Sequence, residues 1–378
     1  MAAFTVRKII KNVLIVLSVF LILAFLVSCL IPYLNPDKWW FVGFLGLAVP
    51  YLAVAMAFNV LFWLITKPKI ALFPLVALLI GFQQIKTIWA WHYNAKPVLK
   101  QDNNLRILTW NVRSFNTMSV TPERKKHSAE EVSDLILQQE ADIICLQEFN
   151  NSFNGDSANN HIAPFLSKYP YYFFSRDFYR SNGYTAGSII FSKHPLLDSG
   201  RVKYPGSLSE SLLYVDVRRG DDTVRFYTTH LQSFRFNEGD YSNIEKVKET
   251  GEESIAASKS LFPKMRLAFK KRGIQAKIVR EQLDKSPYPF VICGDFNDVP
   301  NSFTYFHIKG NNLQDAFLKK GSGIGKTYYS IAPTLRIDYL LADKRLNVER
   351  FAMVDEGLSD HVMLVGDFSV KRLPGNSK

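Results

Sequence analysis

The hydrophobic pattern divides the chain near residue 95. From Val13 to Leu34 apolar residues run almost unbroken, interrupted by Ser18, Ser28 and Pro32 and by no charge. At 1.5 Å per residue this stretch covers about 30 Å, the thickness of bilayer hydrocarbon, and predicts a transmembrane helix over 13–34. A second charge-free run, 39–66, opens on Trp39-Trp40, a residue type that gathers at membrane interfaces. A third, 70–91, is apolar from Ile70 to Phe82, then admits Gln83, Gln84 and Lys86 before Ile88-Trp89-Ala90-Trp91. It predicts a third span, with an interfacial hairpin as the alternative.

Beyond this head the period changes. Short β-rich runs end in polar residues: Leu105–Trp110, Ile143–Gln147, Ser188–Phe191, Leu212–Val217, Val224–Thr229, Phe290–Cys293 and Ile337–Leu341. Helical spacing falls between them, over Glu130–Gln139 and over the basic stretch Lys264–Leu283. The organisation expected is a membrane anchor at 1–95, a linker at 96–104, a larger α+β domain at 105–371 and a tail at 372–378.

Charge orients the head and bounds the rest. Seven of the 46 Lys/Arg and one of the 34 acidic residues lie within 1–95, so the larger part carries about half of the net +12. Arg7, Lys8 and Lys11 before the first run, with Lys67 and Lys69 after the second, outnumber Lys38. Positive-inside counting then places the N-terminus in the cytoplasm, and three crossings place the larger domain outside it. The expectation is an integral protein of a bacterial inner membrane with the larger domain on the periplasmic side. Leu26-Val27-Ser28-Cys29 also resembles a lipoprotein cleavage box, an alternative that leaves the larger domain on the same side. A mean hydropathy near zero with 14% aromatic residues excludes a disordered or fibrous chain. Three cysteines in apolar surroundings read as packing thiols.

The candidate chemistry sits where the strands end. Asn111, Glu148, His230 and Asp295 each follow an apolar run; Asn297, Asp338, Asp360 and His361 add acid–amide and acid–imidazole neighbours. Each has a bland reading alone, as a turn cap, a solvated strand end or a core imidazole. Together they supply what phosphoester hydrolysis needs. Carboxylate and amide oxygens suit a hard cation such as Mg²⁺, another carboxylate can take a proton from water, and imidazoles can stabilise phosphoryl charge. No HExxH motif, Gly-x-Ser-x-Gly elbow or activated cysteine offers a zinc or covalent route.

At these residues the sequence resembles the endonuclease/exonuclease/phosphatase superfamily, over about 105–371. The pieces are Thr109-Trp110-Asn111-Val112-Arg113, Cys145-Leu146-Gln147-Glu148, Thr229-His230-Leu231, Gly294-Asp295-Phe296-Asn297-Asp298-Val299-Pro300, Arg336-Ile337-Asp338-Tyr339 and Ser359-Asp360-His361, in the superfamily's order. The resemblance implies a four-layer α/β/β/α sandwich, two packed mixed sheets flanked by helices, behind the transmembrane helices. It implies Glu148 as the main Mg²⁺ ligand, with Asn111 beside it on metal or phosphate and Asp360 completing the metal side; Mn²⁺ would substitute. Asp295 would orient and deprotonate the attacking water, and Asn297 would hold that water or a phosphate oxygen. His361, its tautomer fixed by Asp338, would stabilise charge on phosphorus, and His230 would make a second phosphate contact. The substrate expected is nucleic acid or a phospholipid or phosphosugar, alongside the bilayer itself as a partner; no protein partner is deducible. A catalytically inactive phospholigand-binding scaffold on the same fold is the alternative. Residues 181–191 lack the extra acid of pancreatic-type deoxyribonucleases and are closer to abasic-site endonucleases and lipid-directed members.

Other features carry less. Gly321–Thr327 looks like a phosphate loop but has Lys320 where its first glycine is needed. The basic stretch around Lys264–Arg280 and the aromatic-basic stretch 171–180 read as a solvated face and a packed strand, with anionic partners as the alternative. Ser233–Ser254 reads as an insertion loop bordering the cleft.

Overall fold

At the centre of each of two sheets lies one parallel strand pair, and that pairing gathers the polar strand ends. In this computed structural model the strands are β1 (Ala90–Trp91), β2 (Leu105–Asn111), β3 (Ile143–Ser152), β4 (Tyr171–Phe174), β5 (Phe178–Tyr179), β6 (Tyr184–Ser192), β7 (Leu196–Lys203), β8 (Ser211–Arg219), β9 (Asp222–His230), β10 (Phe290–Asp295), β11 (Leu313–Asp315), β12 (Ser322–Gly323), β13 (Asp338–Asp343), β14 (Leu346–Val354) and β15 (Met363–Val370). The structure describes residues 2–92, 100, 104–115, 129–153, 160–250, 254–329, 332 and 334–370. The expected tail, 372–378, and most of the expected linker, 96–104, lie outside them.

One sheet runs β14-β15-β2-β3-β6-β4, with β5 also on β6, and the other runs β11-β13-β10-β9-β8-β7. β2 and β3 are parallel, with Asn111 opposite Gln147, as are β9 and β10, with His230 opposite Asp295. Parallel strands finish at the same edge, so four polar residues that follow or close apolar runs must come out together. Between the sheets lies a core that includes Ile107, Cys145, Ile190, Val215, Phe226, Val291, Cys293, Leu340 and Leu364. Both buried cysteines pack there and, with half-buried Cys29, are free thiols.

The helices are α1 (Ala2–Ser28), α2 (Val42–Thr66), α3 (Pro68–Ile80), α4 (Phe82–Ile85), α5 (Ala129–Gln138), α6 (Glu238–Thr250), α7 (Ser254–Asp284), α8 (Phe303–Lys309) and α9 (Ala316–Lys320). α5 buries Val132 and Ile136 against the outer face of the first sheet. α7 and α8 bury Ala276, Val279, Leu283, Tyr305 and Ile308 against the second. The result is the expected four-layer sandwich. α6 occupies most of the stretch expected as the Ser233–Ser254 loop; its first turn carries Glu238 and Asp240, which suit a helix N-terminus.

Two helices, Val6–Tyr33 and Val42–Thr66, are long and apolar enough to cross a membrane. Phe25, Met56 and Ala77 pack α1, α2 and α3 together, and Ser18 accepts from Trp63 Nε1 (2.8 Å) and donates to Asn59 (2.9 Å). The third segment differs from the single helix expected over 70–91. α3 is 13 residues, a rise of about 20 Å, and the chain then passes through Gly81 and α4 into β1. The cause is polar: Gln84 is buried, and Asn301 Nδ2 donates to its backbone O (2.8 Å) and side-chain O (3.0 Å) and to Thr87 Oγ1 (2.9 Å). β1 then pairs with β12, so the glycine-rich stretch receives the head.

The head is therefore docked on the sandwich. Asn35 donates to Gly273 O (3.2 Å), Phe44 stacks on Phe262 and meets Phe269 edge-on, and a Cβ at Gly43 would fall 2.3 Å from the Phe269 ring. Arg336 donates to Thr87 O (3.0 Å) while paired with Asp315 (2.7 Å). These contacts put the end of α1, the start of α2 and the end of α3 at the sandwich. The start of α1 and the Thr66–Pro68 turn lie at the far end of the bundle.

Candidate active site

The site is assembled at the edge where β2, β3, β9, β10 and β13 end or begin. Asn111 closes β2 and its Nδ2 donates to Glu148 Oε1 and to Asp295 Oδ2, each at 3.1 Å. One amide thus joins a carboxylate from each sheet. Its Oδ1 accepts from the Arg113 backbone N–H (3.0 Å), which holds the amide's orientation. Glu148 sits at φ +50° where β3 shifts register between Leu146 and Phe149. This left-handed conformation is costly for a non-glycine residue, and Glu148 is only partly buried, facing the cleft.

Asp295 closes β10 and is fully enclosed. Its Oδ1 accepts from the Asn297 N–H (2.8 Å), and Asn297, at φ +53°, donates from Nδ2 to Leu231 O (3.0 Å). His230 Nε2 lies 3.8 Å from Glu148 Oε1 and 3.7 Å from Asp295 Oδ2, buried and without a hydrogen-bond partner among the described residues. His361 Nδ1 is 2.9 Å from Asp338 Oδ2, and its Nε2 is 3.8 Å from Asp295 Oδ2. Thr327 Oγ1 accepts from the backbone N–H groups of Ile337 and Asp338, fixing the start of β13. Ser359 Oγ donates to Asn111 O (2.8 Å) and Trp110 Nε1 donates to His361 O (2.9 Å), tying the Ser359–His361 segment to β2.

Electrostatics sets the protonation states. Burial pushes the Asp295 carboxyl up to about 6, reinforced by the neighbouring Asp338 charge and opposed by His361 and His230. Burial works against a charge on His361, but the Asp338 and Asp295 carboxylates outweigh it and raise the imidazole to about 10. The edge thus holds a basic carboxylate beside a cationic imidazole. An Asp295, Asp338 and His361 set has ligand atoms within 4.8 Å of one another, but His361 Nδ1 is already committed to Asp338. The carboxylates of Glu148, Asp295 and Asp360 line the cleft and suit a hard divalent cation better, whereas Asn111 turns Nδ2, not Oδ1, to Glu148 and Asp295.

The sequence profile of the Endonuclease/Exonuclease/phosphatase family matches residues 108–361. The chain belongs to this family. It is a hydrolase acting on phosphoester bonds. Residues 9–88, the helical head, match a domain of unknown function (DUF8431). No curated protein matches the chain. The endonuclease/exonuclease/phosphatase from Beutenbergia cavernae DSM 12333 is similar in fold, with 21% identity, 73% of this chain and 74% of that one covered, and a TM-score of 0.50. The human Nocturnin catalytic domain with bound sulfate gives 19%, 72%, 97% and 0.49. D. rerio TDP2 complexed with single strand DNA product gives 16%, 71%, 100% and 0.48.

All eight residues singled out in the sequence, Asn111, Glu148, His230, Asp295, Asn297, Asp338, Asp360 and His361, fall at this one edge of the family fold. Asp360 lies 3.7 Å from the Arg113 guanidinium, on the cleft wall. The cleft, about 280 Å³, has further walls that sequence reasoning did not assign: Arg113, Phe234, Arg235, Tyr241, Tyr328 and Leu47. Arg113 has a signal in the sequence, two residues past Asn111. Phe234 and Arg235 lie at the start of the segment expected to border the cleft. Leu47 has none, because it belongs to α2, more than 60 residues before the first catalytic strand residue.

Proposed function

We propose that the protein is a membrane-anchored, Mg²⁺-dependent phosphoesterase that cleaves a phosphodiester or phosphomonoester by direct attack of water. The observation that carries this reading is the Asn111 amide, which holds Glu148 and Asp295 together while His361 faces Asp295 from the other side. Glu148, with Asp360, would hold the cation, while Asn111, expected beside them on the metal, turns Nδ2 to the carboxylates and positions them; Mg²⁺ bound there would supply positive charge against the phosphoryl oxygens. Asp295 Oδ1 accepts from the Asn297 N–H and Oδ2 from Asn111 Nδ2; Oδ2, which faces His230 and His361, keeps a lone pair with which it would accept the water's proton. Water then attacks phosphorus as the ester oxygen leaves, to be protonated from solvent. Cationic His361, with His230 and Asn297, stabilises the added charge. Asp338 acts through His361 by fixing its tautomer.

The anchor reading rests on the two long apolar helices and on the placement of the α1 start opposite the sandwich. With the basic N-terminal residues in the cytoplasm, the catalytic domain lies on the periplasmic side of a bacterial inner membrane. Nucleic acid and phospholipid or phosphosugar both suit the chemistry of the site.

The test uses the full chain in detergent or nanodiscs, because the head packs on the catalytic domain. Metal-dependent hydrolysis of bis(p-nitrophenyl) phosphate, abolished by EDTA and restored by Mg²⁺, is expected. Hydrolysis unaffected by EDTA would refute the metal assignment, and no hydrolysis of any phosphoester would refute the reading.

A further inference from the structure

The catalytic cleft and the membrane helix share a wall. Leu47, in the second turn of α2, lines the same cleft as Glu148, Asp295 and His361. It packs against a cluster of Val299, Tyr328, Leu335 and Ile337, so an apolar strip runs from α2 towards the reacting carboxylates. One turn further along α2, the Tyr51 hydroxyl lies 3.5 Å from Thr334 Oγ1, and Tyr51 itself is 55% exposed. Val54 and Phe58 continue the exposed apolar surface down the helix. Phe234 and Phe236, which line the same cleft, stack with centroids 5.1 Å apart; Arg113 and Arg235 line it too, beside Asp360 and Glu210. The cleft is thus amphiphilic: polar and metal-competent at its floor, apolar on the side that continues into a bilayer-spanning helix.

We infer that the substrate is a phosphate ester carried on a membrane-embedded lipid tail, presented to the site along α2. This rests on the phosphoesterase and anchor readings above and narrows them to one substrate class. A soluble enzyme would have no reason to wall its cleft with the helix that enters the bilayer. A lipid substrate gains twice from that arrangement. Its tail stays in hydrocarbon, and the apolar segment next to the phosphate is desolvated against Leu47, Leu335 and Val299 instead of crossing water. The head is then part of the binding site as well as a tether.

The test compares the full-length protein and Leu47→Asn in phosphatidylcholine nanodiscs with Mg²⁺. The probes are phosphatidic acid or phosphatidylglycerol in the same discs, a single-stranded oligonucleotide, and bis(p-nitrophenyl) phosphate. The reading is the ratio of kcat/KM on the lipid to that on bis(p-nitrophenyl) phosphate, which cancels any loss of folded protein. Lipid turnover by the wild type is expected, with the ratio falling at least about tenfold in Leu47→Asn and recovering in Leu47→Met. Leu335→Asn, on the other side of the same strip, should lower it likewise. An unchanged ratio in both variants, or hydrolysis of the oligonucleotide and bis(p-nitrophenyl) phosphate with neither lipid touched, overturns the inference and leaves the phosphoesterase standing. No metal-dependent turnover of any probe overturns both.

Discussion

The Nδ1 atom of His361 lies 2.9 Å from Asp338 Oδ2 and 3.2 Å from Oδ1, and this contact turns Nε2 towards Asp295 at 3.8 Å. The two acids hold a proton on the imidazole up to about pH 10, against an ordinary value of 6.5. The sign follows from linkage: the stabilisation is complete below 6.5 and lost as pH rises through about 10. In the metal-free protein His361 should therefore not titrate around neutrality, and Asp338→Asn should bring its midpoint down. The ring-proton NMR titration checks this; a wild-type midpoint near 6.5 would contradict it.

Asp295→Asn keeps the shape and the Asn297 contact but removes the proton acceptor. A loss of about 10²–10⁴ in kcat is expected, with unchanged circular dichroism. In the wild type, burial places the carboxyl at about 6, so a base at this position predicts kcat/KM falling as pH drops through that value. A flat profile down to pH 5 would sink the assignment.

Glu148→Gln leaves the strained φ +50° position filled by an isosteric side chain and removes one charge. Mg²⁺ affinity should fall at least about tenfold, since a hard cation draws most of its binding from charged oxygens. Calorimetric titration of the full chain, or Mn²⁺ electron paramagnetic resonance, reads the effect apart from turnover.

Gly294 sits at φ +124°, and a Cβ there would fall 2.1 Å from Thr229 O on the parallel neighbour strand. Gly294→Ala should destabilise the protein by a few kcal/mol, about the upper range for single substitutions, and displace Asp295. Gly220→Ala, at φ +61° with nothing within 4 Å, meets only the backbone cost of roughly 1–2 kcal/mol. Thermal unfolding of the two variants should separate them; equal shifts would argue against the close approach.

Asn301 is fully buried and serves the head through Gln84 and Thr87. Asn301→Ala leaves the buried Gln84 Oε1 without its donor, at a cost of about 1–3 kcal/mol, while Thr87 Oγ1 still donates to Gln84 O. Hydrogen exchange should rise in the segment from Gln84 to Trp91 before it rises in β10. Unaltered protection there would mean that the head is held by its aromatic contacts alone.

Much of the fold was legible because strands and helices bury one face each, and that periodicity is a local property of the chain. The apolar runs noted along 105–371 lie within strands, except that Ile337 precedes β13 by one residue. Strands β7, β14 and β15 were harder to read. β7 is half-exposed on a sheet edge and β14 alternates irregularly around a bulge at Val348/Arg350, so neither gives a clean period. The third apolar segment misled because hydropathy cannot know that Gln84 would be buried against Asn301, a residue 217 positions away.

The sequence by itself determined the inventory of the site and its order along the chain: carboxylates, amides and imidazoles placed at strand ends, where a short side chain can leave a sheet without being buried in it. Tertiary structure alone decided which of them touch. Parallel pairing of β2 with β3 and of β9 with β10 brings four strand ends to one edge, and sheet packing then sets Asn111 between Glu148 and Asp295. It also decided that Leu47 from the head walls the cleft. Contacts of that range depend on how layers stack, and a one-dimensional pattern carries no record of which faces will meet.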